Sequence, residues 1–236
     1  MNLSTTIRQA CACVILGAAM AAPAAQASVI ADWTFETSAP ATAGPFAPET
    51  GAGAATGFHA SGSAVYSSPA GDGSSHSFSS NYWSIGDYFQ FQTSTLNLSG
   101  IALSWDQTSS NTGPQNFVLD YSTDGTNFTQ FGSSYAVLAN ATPNTPWSST
   151  GSVNLAYAFS NDLSGITGLN NQANVYFRLI DKNTIAANGG TVGTSGTDRV
   201  DNFTVTGTVS VVPVPGAAWL FGSALLATVG FKRRKA

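Results

Sequence analysis

The sequence has very few cysteines. Only Cys11 and Cys13 occur in its 236 residues, and both lie in the N-terminal segment. Everything after residue 13 therefore lacks a thiol nucleophile and cannot form a disulfide. Small secreted domains often need disulfides, but the roughly 185 residues from 28 to 212 are enough to form a single buried core without them.

Basic residues are also scarce in the centre of the chain. All twelve acidic residues lie between residues 28 and 212, where the only basic ones are Arg178, Lys182 and Arg199, giving this part a net charge of about −9. The formal charge of the whole chain is −4 because Arg8 and a basic C-terminal tail offset part of the excess. Such a surface repels phosphate backbones, so we expect no nucleic acid partner.

Helical periodicity is missing from the centre, where short alternating or apolar runs are separated by Gly, Asn, Asp, Ser and Pro. This pattern predicts an all-β, antiparallel β-sandwich of nine or ten strands in one domain, residues 28–210. The stretch "NFVLDYSTDGTNFTQF", residues 116–131, predicts a hairpin that turns at Asp124-Gly125. Further strands are predicted at 29–36, 64–67, 88–92, 96–106, 152–158, 175–181 and 200–209, and loops at 37–57, 70–80, 140–149 and 184–197.

The N-terminus has the layout of a secretory signal peptide, residues 1–27. Arg8 precedes an apolar stretch from residue 10 to 22, and Ala25 and Ala27 supply the small side chains that signal peptidase reads, with Ser28 after the cut. The alternative of a transmembrane anchor is disfavoured, because about 13 apolar residues are too few to span a bilayer.

The C-terminus, residues 212–236, combines a proline pair, an apolar run and a basic end. Pro213 and Pro215 end the last strand, and about 17 uncharged residues from 215 to 231 predict a single transmembrane helix. The positive-inside rule then leaves the tail, residues 232–236, in the cytoplasm, oriented by Lys232, Arg233, Arg234 and Lys235. The alternative is a buried C-terminal helix followed by a solvated basic end.

These last residues resemble a PEP-CTERM sorting signal of the subgroup that opens Val-Pro-Leu-Pro-Ala. Here the motif reads Val212-Pro213-Val214-Pro215-Gly216 and is followed by a Trp-Leu-Phe-Gly-Ser core and the basic end. The resemblance implies a Gram-negative host that makes exopolysaccharide, an inner-membrane intermediate, and an exosortase that cuts near the prolines. The implied destination is the cell surface or the extracellular matrix.

The centre also resembles proteins that carry this tail. The matching stretches are "SVIADWTFETSAPATAGPFAPETGAGAATGFHA", "SWDQTSSNTGPQNFVLDYSTDGTNFTQF" and "DRVDNFTVTGTV". The resemblance implies a jelly-roll sandwich of the lectin or carbohydrate-binding type, and no activity comes with it.

Few residues point to catalysis. His59 and His76 are the only histidines, and no Gly-x-Ser-x-Gly motif surrounds a serine, although counting residues leaves a Ser-His-Asp arrangement open. A surface glycoside hydrolase would need a pair of carboxyl groups, which twelve acids permit without any motif that marks them. We expect a non-catalytic protein, with the hydrolase as the less favoured alternative.

A calcium site is one candidate for ligand binding. Asp32, Glu36 and Asp201 fall on the first and last predicted strands, and carboxylate oxygens suit Ca²⁺. The alternative is that Asp198 and Asp201 pair with Arg199 or cap a turn. The run from Asp120 to Gly125 lacks the downstream glutamate of a calcium loop, so it predicts a turn.

Aromatic side chains are the other candidate. Trp33, Phe35, Trp105, Phe117 and Phe203 lie on predicted strands and are expected in the core. Tyr82, Trp83 and Trp147 lie in loops, where the favoured interpretation is that the rings are partly buried and anchor the loop. The alternative is that they are exposed, stack on sugars and bind a polysaccharide. The sequence thus predicts an exported, exosortase-sorted β-sandwich without catalysis, with a carbohydrate-binding module as the alternative.

Overall fold

The computed structural model describes residues 26–209, and these form two stacked β-sheets. The predicted PEP-CTERM signal and all of the predicted signal peptide except residues 26 and 27 lie outside the described residues. Within them, helical structure is limited to two 3₁₀ turns, Leu155–Tyr157 and Thr167–Leu169, and no helix is both long and apolar enough to cross a bilayer. The all-β prediction is confirmed.

The larger sheet has eight strands. They are β1 (Ala27–Trp33), β2 (Thr50–Gly51), β4 (Tyr66–Ser67), β5 (Phe78–Ser80), β7 (Leu98–Ser109), β10 (Leu138–Ala139), β11 (Ala158–Asp162) and β13 (Asp198–Val209). Its centre is β13, which pairs with β7 on one side and with β1 and then β5 on the other. All pairs are antiparallel except β7 with the short β10.

The smaller sheet has five antiparallel strands in the order β3-β6-β12-β8-β9. They are β3 (Gly53–Phe58), β6 (Tyr88–Thr93), β8 (Asn116–Ser122), β9 (Thr129–Ala136) and β12 (Val175–Asp181). β12 alternates strictly between buried and half-buried residues, which is the pattern of a strand with one face on a core and one toward solvent.

Aromatic side chains from both sheets fill the space between them. Phe91 of β6 stacks on Phe203 of β13, with ring centroids 3.6 Å apart, and Trp33 meets both rings edge-on. Trp33, Phe35, Trp105, Phe117 and Phe203 are each at most 1 % exposed. The core prediction for these five residues is confirmed, and the two sheets form a sandwich.

Two irregularities in strands shape the surface. In β13, Asn202 adopts a left-handed conformation and an extra residue enters the strand between Asp201 and Thr204. In β9, Phe131 pairs with Leu119 and Tyr135 with Phe117, so the stretch from Gly132 to Ser134 bulges out of the sheet. Gly132 has a φ of 65°, a conformation that favours glycine.

Several boundaries differ from the predictions. The strand predicted at 152–158 is wrong, because that stretch holds a 3₁₀ turn and β11 begins only at Ala158. The loop predicted at 37–57 contains β2 and most of β3, whose Gly, Ala and Thr residues give little hydrophobic alternation. The predicted hairpin is confirmed, but its connection is six residues long rather than a tight two-residue turn.

Candidate functional site

A Ser-His-Asp array lies between β5 and the start of β6, and sequence analysis did not identify it. His59 Nδ1 is 3.0 Å from Asp87 Oδ2, and His59 Nε2 is 2.7 Å from Ser80 Oγ. Asp87 also accepts hydrogen bonds from the backbone N–H groups of Ala60 and Ser84. The three side chains thus have the connectivity of a catalytic triad.

This array is closed to substrates. Ser80 and Asp87 are 0 % exposed, and the ring of Trp83 covers His59 edge-on at 4.6 Å between centroids. Burial lowers the pKa of His59 although Asp87 opposes this effect, so the imidazole is neutral at pH 7. A neutral ring that donates to Asp87 and accepts from the Ser80 hydroxyl satisfies buried polar atoms, which is a structural role.

A second polar group is buried at the β13 bulge. Asp201 Oδ2 accepts from Ser74 Oγ at 2.7 Å and from the Asp72 N–H at 3.0 Å. Asp106 Oδ2 accepts from Asn202 Nδ2 at 2.8 Å. Burial raises the pKa of Asp201 to about 7 and that of Asp106 to about 6.

The predicted metal ligands do not converge. Asp32 accepts from the Thr204 hydroxyl, Glu36 from the His76 N–H, and Asp201 from Ser74 and Asp72. Between residues 26 and 209, no three His, Asp or Glu side chains are grouped so as to hold a metal ion. The prediction of one calcium site built from Asp32, Glu36 and Asp201 is therefore corrected, since each carboxylate satisfies a different part of the fold.

Nor does the Asp106 region provide the carboxyl pair of a glycosidase. A cavity of about 290 Å³ opens beside Asp106 and Asn202. Asp106 is the only carboxylate in its lining, whereas hydrolysis of a glycosidic bond needs two. This cavity therefore does not support the hydrolase alternative.

The three loop aromatics predicted to contact a ligand lie in different settings. Trp83 and Trp147 are each 6 % exposed. The Trp83 indole N–H donates to the Ser80 carbonyl, and Trp147 packs edge-on against Tyr157. Their burial agrees with the favoured interpretation, in which the rings anchor their loops, and it leaves the alternative of ligand contact without an exposed ring at either residue. Tyr82 is half-buried with a φ of 56°, and ligand contact there stays a prediction.

The outer face of the smaller sheet carries the aromatic and polar groups that a ligand could reach. We call it the Arg178 face, and define it by Phe58, Tyr88, Gln90, Asp120, Phe128 and Arg178. Because β12 buries Phe177 and Leu179, it presents Arg178 on the opposite side. The register places Gln90 of β6 and Asp120 of β8 directly across from Arg178.

Two aromatic rings hold the Arg178 side chain in place. Its guanidinium carbon lies 4.0 Å from the Tyr88 ring centroid and 3.6 Å from that of Phe128, and its Nε donates to Gln90 Oε1 at 2.8 Å. Its two terminal nitrogens donate to none of the described residues, and no carboxylate among them lies within salt-bridge distance. The face therefore presents an oriented pair of donors with no protein partner.

Asp120 of β8 lies directly across the sheet from Arg178. Its Oδ1 is buried and accepts no hydrogen bond from the described residues. Burial raises the pKa of Asp120, while Lys182 and Arg178 act to lower it. A buried acceptor without a partner costs free energy, and because this atom is shielded from solvent, a ligand on the face does not reach it in this conformation.

Phe58 extends the face toward the edge strand β3. Its ring is 47 % exposed and stacks on Tyr88 with centroids 5.1 Å apart and an interplanar angle of 18°. Sequence analysis missed the face because its members come from four separate stretches, and only the cross-strand register brings them together. The one available signal was the alternation over residues 175–181, which would have placed Arg178 on the outer side.

Comparisons with known proteins give distant likenesses only. No family model matches the chain, and no curated protein does. Among solved structures, the K2 cleaved adhesin domain of Lys-gingipain is 16 % identical, with a TM-score of 0.42, and the match covers 74 % of this chain and 96 % of that domain.

Two further structures are similar at the same level. The K3 adhesin domain of Lys-gingipain from Porphyromonas gingivalis is 15 % identical over 75 % of this chain and 98 % of its own, with a TM-score of 0.43. TmCBM61, solved with β-1,4-galactotriose, is 10 % identical over 73 % of this chain and 92 % of its own, with a TM-score of 0.35.

Proposed function

We propose that this protein is an exported, non-catalytic β-sandwich that binds carbohydrate on the Arg178 face. The observation that carries the proposal is the guanidinium of Arg178, which Tyr88, Phe128 and Gln90 hold in place while its two terminal nitrogens donate to none of the described residues. Neighbouring hydroxyl groups of a sugar accept hydrogen bonds through their oxygens and donate through their hydrogens. Two neighbouring hydroxyl oxygens would therefore accept from both terminal nitrogens of Arg178 at once.

The aromatic part of the face fits the other side of a sugar. The exposed Phe58 ring, stacked on Tyr88, offers an apolar surface on which the C–H face of a pyranose can lie. Because Tyr88 also supports Arg178, the apolar and polar contacts form one continuous surface. This arrangement suits a glycan chain crossing several strands.

Charge favours an uncharged glycan. The described residues carry an excess of carboxylates, so an anionic polysaccharide is repelled at long range. At the site itself Arg178 lies beside Asp120, and the pair leaves little net charge to attract a uronate.

Export and sorting form the second part of the proposal. We infer that signal peptidase removes residues 1–27 and that an exosortase reads the motif at 212–216, with residues 215–231 held in the inner membrane. The processed chain then reaches the cell surface or the exopolysaccharide matrix. Mass spectrometry of the exported form should show a new N-terminus at Ser28 and a C-terminus near Pro213; recovery of the intact chain would contradict this.

Glycan binding can be tested with the full chain purified in mild detergent. A glycan array followed by calorimetry should find an uncharged polysaccharide that binds. Arg178→Ala should weaken that binding at least tenfold, since it removes charge-assisted hydrogen bonds worth about 1.5–3 kcal/mol.

Asp120→Asn serves as a second variant because it keeps the shape of the side chain while removing the carboxylate. It should weaken binding without lowering the Tm, since the carboxylate pays a burial cost in the free protein. Thr206→Ala, on the outer face of the larger sheet, is the matched control and should bind normally. If no uncharged glycan binds, or if both face variants bind like the unmodified chain, the proposed site is wrong.

A further inference from the structure

A separate cleft opens along one side of the sandwich, between the edge strand β9 of the smaller sheet and the edge strand β11 of the larger one. We call it the edge cleft. It has a volume of about 340 Å³, at the lower end of the range for small-molecule sites. The β9 bulge from Gly132 to Ser134 forms part of its wall, so the irregularity in that strand creates the opening.

The floor of the edge cleft is aromatic. Tyr135 and Phe159 lie with ring centroids 4.8 Å apart, and Trp105 stacks behind Phe159 at 5.6 Å. The polar atoms of this floor are already occupied, because Tyr135 Oη and Trp105 Nε1 both donate to Gln107 Oε1. A ligand in the cleft would therefore meet the floor as an apolar surface.

The rim of the edge cleft is polar and has no protein partners. The side chains of Ser133, Ser134 and Asn161 line the opening and form no hydrogen bond with any described residue. The lining contains no charged side chain. An uncharged lining disfavours phosphates, carboxylates and ammonium groups, which would lose hydration without gaining an ion pair. A wholly apolar ligand would leave the hydroxyl and amide groups unmatched.

We propose that the edge cleft binds a single uncharged sugar ring. The C–H face of the ring would lie on Tyr135 and Phe159, while its hydroxyl groups bond to Ser133, Ser134 and Asn161. The inference adds a second site to the proposed carbohydrate binding and does not depend on the Arg178 face. It predicts that the protein recognises monosaccharides as well as glycan chains.

The test is saturation-transfer NMR on the full chain in detergent, with the methyl glycosides of glucose, galactose, mannose and N-acetylglucosamine as probes. At least one should bind saturably. Ser134→Trp should abolish this binding by filling the cleft, because the bulge is exposed and tolerates a larger side chain. Asn161→Ala should weaken it about threefold to tenfold, the effect of one lost hydrogen bond.

Two control variants separate this inference from the proposed function. Thr167→Trp places an indole at another exposed site and should leave monosaccharide binding intact. Arg178→Ala should weaken polysaccharide binding, and the part of the monosaccharide signal that Ser134→Trp removes should persist in it. If no methyl glycoside binds, or if Ser134→Trp binds as well as the unmodified chain, the cleft proposal is overturned, and polysaccharide binding by the Arg178 face would still stand.

Discussion

Acidification from pH 8 to pH 5 should stabilise this protein, because several of its buried carboxyl groups prefer to be protonated. Burial raises the pKa of Asp201 and Asp181 to about 7 and of Asp106 to about 6, and raises that of Asp198 well above its usual value. A carboxyl whose folded pKa exceeds its unfolded value binds its proton more tightly when folded. Its stabilising effect is complete below pH 4 and is lost as the pH rises through 7.

The magnitude follows from the size of these shifts. For Asp201, moving from a pKa of 3.8 to about 7 stabilises the fold by roughly 3 kcal/mol at pH 5 relative to pH 8. Asp181 and Asp106 act in the same direction. His59 acts in the opposite one, since its lowered pKa makes the unfolded state bind the proton better, at a cost of at most about 2 kcal/mol at pH 5. Together these opposing contributions predict that Tm rises by roughly 10 °C when the pH is lowered from 8 to 5.

Circular dichroism melts from pH 8 to pH 5 in the presence of EDTA measure this balance. Asp201→Asn should make Tm less dependent on pH. The readout is the change of Tm with pH and not Tm itself, because the amide also has one fewer oxygen to accept the hydrogen bond from Ser74 and is destabilised at every pH. A Tm that is constant or falls on acidification would refute the reasoning. A fall that appeared only after Ca²⁺ was added would show that an ion keeps the carboxylates charged.

Two further predictions concern the core and the Ser-His-Asp array. Phe203→Ala should lower the free energy of unfolding by about 3–5 kcal/mol in denaturant titrations, because it removes the ring that stacks on Phe91 between the sheets. Phe203→Leu should recover part of this loss. An unchanged denaturation midpoint for Phe203→Ala would contradict the observed packing. Ser80 should not react with a fluorophosphonate probe in the folded protein, because it is 0 % exposed. If the unmodified protein is labelled and Ser80→Ala is not, the array is accessible to the probe and this prediction is wrong.

Much of the fold could be predicted from local sequence patterns. The strand at 175–181 was predicted with the observed bounds, because its alternation is clear and it lies in the middle of a sheet. The turn predicted for the Asp120–Gly125 stretch is confirmed, since β8 ends at Ser122 and the chain then reverses into β9. There Asp124 Oδ1 accepts from the backbone N–H groups of Thr126 and Asn127. The short strands β2, β4, β5 and β10 form by pairing with strands elsewhere in the chain, so their own local sequence contains little pattern that predicts them.

The candidate sites were harder to predict for a physical reason. Trp83 lies in a loop by sequence, yet the buried His59 and the core ring of Phe89 draw it inside, and no local pattern reports that packing. Arg178 and Asp120 are 58 residues apart and meet only through the register of β8 and β12. Residue type and spacing therefore identified the core aromatics but could not identify a surface assembled across strands.

The first and last strands carry one more consequence. Ala27 at the start of β1 pairs with Thr208 near the end of β13, so the chain enters and leaves the sandwich at the same pole. A force between tethers at the two termini would act on that one pole and unzip β1 from β13 one hydrogen-bonded pair at a time. An attachment at that pole would leave the outer face of the smaller sheet, which carries Arg178, uncovered.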